Sequence, residues 1–176
     1  MRFLLRPDFP NTFVTDDAGR DVYWVRSGMA DQVGLWSLRD LTGTELVQVA
    51  QHGSRLAPSY GVYRAGQRVG TVREGQPGGT RASGRWRSGV RTLVAGAPAR
   101  MRYTVHDQGA QPLEVDGDPA AVEYDLNRAG RHAATVGLRW VDRAATVATS
   151  VDVREGEDPE LIIALVAMIE GAWGRL

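Results

Sequence analysis

One segment near the end of the chain constrains the fold more than any other. Every residue from Leu161 to Ile169 is apolar. A helix that lies on a protein surface needs a polar face, and a helix formed here has none, so the rest of the chain has to surround it. Asp158 is a favourable N-cap residue, and Pro159 and Glu160 suit the first helical turn. The sequence therefore predicts a buried helix of about sixteen residues, roughly 24 Å long.

The chain before this segment is built from recurring hairpin units. Each unit is an alternating run, a polar turn with glycine and a second alternating run, a pattern typical of two antiparallel strands. The units are centred on Gly19, Gly43, Gly66 and Gly130, with weaker copies at Gly109 and Gly89. They predict about twelve strands in one meander, the last at 146–153. A strand of seven residues matches the predicted helix in length, so a closed antiparallel barrel can enclose that helix.

Composition excludes several classes of protein. The chain has 176 residues, of which 43% are hydrophobic and 24% charged, and its net charge is zero, as in an ordinary globular protein with one domain over residues 1–176. The absence of cysteine excludes disulfides, zinc fingers and cysteine nucleophiles. The apolar runs are too short for a signal peptide or a bilayer span, so we expect a cytoplasmic protein rather than a membrane tail. The Gly- and Pro-rich stretch from Glu74 to Ser83 is expected to be a loop.

In the order of its parts, the chain resembles the LURP-one-related family. The resemblance rests on hairpin turns such as Asp17-Ala18-Gly19 and Ala65-Gly66, on the segment YDLNRAGRHAATVGLRW, and on the acidic stretch EGEDPE before the apolar helix. This family is part of the Tubby C-terminal-like superfamily, which includes the phospholipid scramblases. The resemblance implies a mainly β fold, a twelve-stranded closed antiparallel barrel around a central hydrophobic C-terminal helix. It brings no catalytic residues and no matched lipid-binding motif, and a fold alone does not define a function.

A basic stretch in the middle of the chain is the strongest local anomaly. No acidic residue lies between Glu74 and Asp107. The arginines inside this stretch are Arg81, Arg85, Arg87, Arg91, Arg100 and Arg102. In extended strands, alternation puts Arg85, Arg87 and Arg91 on one face of one strand, and it puts Arg100 and Arg102 on one face of a second, each opposite apolar residues. If the two strands are neighbours, these arginines form one outward patch. Guanidinium groups bind phosphates in bidentate fashion, so we expect an outward face that binds anionic phospholipid headgroups. The alternative is a solvated face whose arginines discourage edge pairing.

An acidic stretch follows the basic one. Its carboxylates are Glu114, Asp116, Asp118, Glu123 and Asp125. The alternation of the first three can hold a hard cation such as calcium, but Pro119 stands where a further ligand or glycine is needed, and the EF-hand pattern is absent. We therefore expect no metal site, and interpret these acids as balancing the basic face within the molecule or between copies.

Signals for catalysis are weak. The three histidines, His52, His106 and His132, have no metal-ligand spacing, and the sequence contains no G-x-S-x-G, Walker A or dinucleotide-binding motif. A Ser-His-Asp site assembled from distant residues stays open. Core packing is expected for most of the tryptophans, which are Trp24, Trp36, Trp86, Trp140 and Trp173.

The sequence thus predicts a non-enzymatic binding or scaffold protein without a cofactor. Its favoured partner is anionic lipid, at the periphery of a membrane. The alternatives are a structural or protein-interaction role and, below these, nucleic-acid binding or transport of a small apolar ligand, which needs an open lumen.

Overall fold

The computed structural model describes residues 1–8, 11–28, 34–52, 59–75, 102–107, 111–118, 121–140 and 147–172. These residues form twelve strands and one helix. The strands are β1 (Arg2–Asp8), β2 (Asn11–Asp16), β3 (Asp21–Ser27), β4 (Leu35–Asp40), β5 (Glu45–His52), β6 (Ser59–Arg64), β7 (Gln67–Gly75), β8 (Arg102–Asp107), β9 (Leu113–Asp118), β10 (Glu123–Arg128), β11 (Arg131–Trp140) and β12 (Val147–Val153), and the helix is α1 (Pro159–Ala172).

The strands form a closed antiparallel barrel. Each strand pairs with the next in the chain, and β12 pairs with β1 to close the ring. Two of the connections are tight turns at Ala65-Gly66 and Ala129-Gly130, where both residues have positive φ, the backbone that the right-handed twist of a hairpin requires. The mainly β, twelve-stranded barrel predicted from the sequence is confirmed.

The predicted hairpins correspond to consecutive strand pairs. Those around Gly19, Gly43, Gly66 and Gly130 are β2–β3, β4–β5, β6–β7 and β10–β11, and β8 pairs with β9 on either side of the predicted turn at Gly109. The sixth predicted hairpin, around Gly89, lies outside the described residues. The remaining two strands are β1, which was not predicted from the sequence, and β12, which lies within the predicted last strand at 146–153.

The helix fills the interior of the barrel. Side chains that alternate inward along the strands, such as Leu5, Val14 and Leu126, are fully buried, and every residue from Leu161 to Ile169 is at most 3% exposed. The helix lies closest to β4 and β5. The central hydrophobic helix is therefore confirmed, and the described part of it, Pro159–Ala172, has 14 residues. It occupies the space that a carrier of an apolar ligand would need.

Side chains from the barrel wall hold the start of the helix. The Asp158 carboxylate accepts a hydrogen bond from the Leu161 amide at 3.1 Å, which confirms the predicted N-cap. Arg64 on β6 forms ion pairs with Asp158 and Glu160, and Arg128 on β10 pairs with Glu157 at 2.9 Å. The helix is thus anchored to two strands before it enters the barrel.

Replacing Asp158 with alanine is expected to cost about 1–2 kcal/mol of stability, because it removes the N-cap acceptor and one partner of Arg64. Asp158→Asn keeps a good capping oxygen and loses only the charge, so its cost should be less than about 1 kcal/mol. Urea unfolding followed by circular dichroism measures both variants. Equal losses for the two would mean that the ion pair, and not the cap, carries the contribution.

Candidate functional site

The antiparallel meander gives the barrel two chemically different ends. The turns at Gly19, Gly43, Gly66 and Gly130 and the start of α1 lie at one end, which we call the turn end. The odd-numbered strands, from β1 to β11, finish at the opposite end, which we call the far end. The two ends therefore draw on different stretches of the sequence.

Carboxylates are concentrated at the turn end. The segment leading into the helix contains Glu155, Glu157, Asp158 and Glu160 within six residues. The pKa of Asp40 lies below its usual value, chiefly because the Thr42 hydroxyl donates to it. Hydrogen bonds from the Arg20 backbone and guanidinium lower the pKa of Asp16 in the same way. Both shifts favour the ionised form of the carboxyl, and with the acidic residues gathered beside them the turn end is less suited to an anionic partner.

Three arginines stand exposed near the far end. They are Arg26 on β3, Arg73 on β7 and Arg139 on β11. None of the three side chains has a hydrogen bond or ion pair with the part of the chain that the structure describes. Three strands separate each from the next around the ring, so the arginines are evenly spaced about the barrel. Arg131 and Arg154 are also exposed, but they lie at the turn end among its acidic residues.

The predicted basic site is connected to the same far end. Arg81, Arg85, Arg87, Arg91 and Arg100 lie outside the described residues. Arg102 is the first residue of β8, and its backbone pairs with Gly75 at the end of β7. The two flanks of the basic stretch therefore meet side by side at the far end. The predicted pairing of two arginine-bearing strands lies outside the described residues.

The acidic residues form a separate outward face on β9 and β10. Asp116 pairs directly with Asp125, and Asp118 with Glu123, while their neighbours Val115 and Tyr124 are buried. Like charges opposite one another in an antiparallel pair are unfavourable. No group of three or more acidic or histidine side chains in the described ranges has the arrangement of a metal site. That these acids balance the basic face stays a prediction.

His132 lies beside this acidic face. Its Nε2 is 2.7 Å from the Thr135 hydroxyl oxygen, and that hydroxyl donates its single proton to Asp125 at 2.8 Å. A histidine acting as a general base would have to accept the hydroxyl proton instead. The direction of these hydrogen bonds therefore does not match that of a Ser-His-Asp type of site.

A cleft of about 500 Å³ lies on the outer surface of β4 to β6. Its lining consists of Gly34, Leu35, Gln48, Ala50, Gln51, His52 and Tyr63. His52 Nε2 and the Tyr63 hydroxyl are 2.8 Å apart and lie over Gly61, where a Cβ atom would come within 2.9 Å of both. His52 and Tyr63 are the titratable side chains of this lining, which contains no carboxylate.

The sequence profile of the LURP-one-related family matches residues 7–170. The chain belongs to the LURP-one-related family. The resemblance inferred from the order of the hairpins and the terminal helix is thus confirmed. An X-ray structure of a protein from Arabidopsis thaliana is similar in fold, with a TM-score of 0.61, 13% identity, and coverage of 97% of this chain and 90% of that chain. At this identity the similarity shows the fold alone. No functionally curated protein matches the sequence.

The tryptophans of this LURP-one-related chain have three different environments. Trp36 is buried, with its ring edge-on to Tyr60 at 6.0 Å, and Trp24 donates from its indole nitrogen to the Asp40 carbonyl at 2.9 Å. Trp140, in contrast, is 71% exposed. Trp36 fits the expectation that most tryptophans pack in the core, and Trp140 is an exception to it, because β11 continues past its last pair with β10, Val136 with Tyr124. Trp86 and Trp173 lie outside the described residues.

Among the described residues, no helix of this family member is both long and apolar enough to span a bilayer.

Proposed function

We propose that this LURP-one-related protein is a non-enzymatic, single-domain module over residues 1–176 that binds anionic phospholipid surfaces with the far end of its barrel. The observation that supports this best is the set of exposed arginines Arg26, Arg73 and Arg139, unpaired within the described residues and spaced evenly around that end. Because these arginines are spaced around the far end, a flat anionic surface facing that end can contact several of them at once. The protein then works at the cytoplasmic periphery of a membrane, as the scramblase and Tubby resemblance also suggests.

The basic stretch supplies the greater part of the charge in this proposal. Its residues Arg81, Arg85, Arg87, Arg91, Arg100 and Arg102 belong to a segment whose two flanks, Gly75 and Arg102, are paired at the far end. A basic residue near an anionic leaflet contributes about 1 kcal/mol, and this contribution falls as salt screens it. Several arginines together are therefore enough for reversible, salt-sensitive attachment.

Vesicle co-sedimentation tests the proposal. We expect the wild type to bind phosphatidylserine or phosphatidylinositol-phosphate vesicles at low salt, to bind them less at physiological salt, and not to bind phosphatidylcholine vesicles. Arg85→Glu with Arg87→Glu should weaken anionic binding at least about thirtyfold, since two contributions of about 1 kcal/mol each are lost. Arg26→Glu with Arg73→Glu should act in the same direction.

The turn end offers a matched control for these charge reversals. Arg131 and Arg154 are exposed there and unpaired through their side chains within the described residues, so Arg131→Glu with Arg154→Glu changes net charge by the same amount. This control should keep most of the binding. The proposal is wrong if the wild type does not bind anionic vesicles, or if the control variant loses as much affinity as the far-end variants.

A protein-interaction role is the second candidate, and the acidic face of β9 and β10 favours it. Asp116 and Asp125 place like charges in direct opposition, which a basic partner would relieve. This role predicts no vesicle binding and no effect of the far-end reversals beyond solubility. Nucleic-acid binding would show the same salt dependence as lipid binding, but with oligonucleotides in place of vesicles.

A further inference from the structure

Two large apolar side chains are exposed together at the end of β11. Leu138 is 57% exposed and Trp140 is 71% exposed. The other large hydrophobic residues exposed within the described ranges, Met1 and Leu41, lie at the turn end of the barrel. Among the described residues, Leu138 and Trp140 are thus the exposed large apolar pair of the far end, which also carries Arg26, Arg73 and Arg139.

Their position continues the interior face of the strand. Ala134 and Val136 alternate inward on β11 and are at most 1% exposed. By the two-residue period of a strand, Leu138 and Trp140 belong to the same face. Both side chains are exposed because β11 extends beyond Val136, its last pair with β10.

The two strands that carry this pair extend together. Trp140 pairs with Val147, and Leu138 with Thr149, so β11 and β12 stay hydrogen-bonded here. On the other side, the pairing of β12 with β1 reaches only to Thr149. Strand β1 itself continues to Asp8, so at its end the ribbon is unpaired with β1 and extends beyond β10. The ladder between β11 and β12 holds its backbone, while Leu138 and Trp140 are largely exposed.

The ribbon also carries an exposed arginine. Arg139 lies between the two apolar residues on the opposite face of the strand, is exposed, and has no side-chain partner within the described residues. Tryptophan and leucine enter the boundary between headgroups and acyl chains, where the indole N–H still finds acceptors, and arginine stays at the level of the phosphates. The alternation of Leu138, Arg139 and Trp140 fits such a boundary, with the charge complementary to an anionic leaflet.

We propose that Leu138 and Trp140 form an apolar anchor that inserts into the interface of an anionic bilayer when the far end docks. This inference rests on the proposed function and deepens it. The arginines bring the barrel to the surface, and the anchor adds an attraction that salt does not screen, since apolar burial is not electrostatic. Acidic Asp118 and Glu123 also lie at the far end, on β9 and β10.

A single-cysteine label tests the insertion directly. The chain has no cysteine, so Leu138→Cys gives one unique site for the environment-sensitive fluorophore NBD. Leu41→Cys, in the β4–β5 turn and 61% exposed in the wild type, is the matched control at the turn end. With phosphatidylcholine–phosphatidylserine vesicles, we expect the label at 138 to shift to the blue and to be quenched by brominated acyl chains. The label at 41 should do neither.

A second variant measures the contribution to affinity. Leu138→Ser with Trp140→Ser should lower the affinity for these vesicles at least about tenfold, while leaving the steepness of the salt dependence unchanged because no charge is removed. Circular dichroism should show an unaltered fold, since both side chains are exposed.

The outcomes separate the anchor from the proposed function. Wild-type binding with an unshifted label at 138 overturns the anchor and leaves the lipid-surface function intact. No wild-type binding overturns both. A label at 138 that shifts with protein concentration in the absence of vesicles also overturns the anchor, because the apolar face then belongs to a contact between copies.

Discussion

Replacing Ile163 with aspartate is expected to abolish folding. Ile163 is 0% exposed and lies within the helix segment that is buried on all sides. A carboxylate placed there has no solvent-facing side of the helix to turn to, and burying it unpaired costs several kcal/mol even after its pKa adjusts. The lost isoleucine packing adds about 2–5 kcal/mol. Together these effects match or exceed the total stability of about 5–15 kcal/mol typical of a domain.

Circular dichroism, thermal melting and gel filtration of the purified variants measure this effect. Leu41→Asp is the matched control, because it introduces the same charge at an apolar residue that is 61% exposed. It should melt like the wild type. Ile163→Val should lose about 1 kcal/mol and remain folded, which shows that the site tolerates substitution by a smaller apolar residue. A monomeric Ile163→Asp variant with native melting would mean that the barrel does not seal around its helix.

The terminal helix could be predicted because its sequence is unambiguous. A run of apolar residues from Leu161 to Ile169 permits no surface orientation, and the capping role of Asp158 depends only on local geometry. The hairpins were predictable for the same reason, since each is marked by a local turn. The described part of the helix, Pro159–Ala172, covers most of the predicted length.

Strand β1 was missed because no glycine marks its connection to β2. The two strands pair from Phe3 with Asp16 to Asp8 with Asn11, and only Phe9 and Pro10 stand between them in the sequence. Arg2 pairs with Asp152, so the barrel is closed by residues at opposite ends of the chain, and no turn connects them. Phe3 and Leu5 do alternate inward, but a short alternating run without a glycine turn beside it is a weak signal.

The candidate site could be predicted only where its residues are contiguous. The basic stretch was visible as a run, but Arg26, Arg73 and Arg139 are isolated in the sequence, and only strand register brings them to one end. The exposure of Trp140 could not be predicted for a related reason. Its place in the alternation is that of a core residue, and nothing in the sequence marks where β10 stops covering β11.

Replacing Gly117 with alanine is expected to be the most destabilising single-methyl change in the barrel wall. Gly117 has a φ of +139°, a backbone conformation that side chains rarely adopt. A Cβ atom there would come within 2.5 Å of the Glu123 carbonyl oxygen and 2.6 Å of the Tyr124 Cα. Both are backbone atoms of the paired strand, so the strand itself has to move. We expect a loss of about 3 kcal/mol, or about 10 °C in melting temperature.

Gly137 provides the control for this substitution. It lies on β11, has no atom within 4 Å of the position of a Cβ, and does not have the positive φ of Gly117. Gly137→Ala should be neutral or stabilise by up to about 1 kcal/mol, because it reduces the entropy of the unfolded chain. Equal melting of the two variants would contradict the close approach of β9 and β10. That approach matters for the acidic face, since Gly117 stands between Asp116 and Asp118 and holds both opposite the carboxylates of β10.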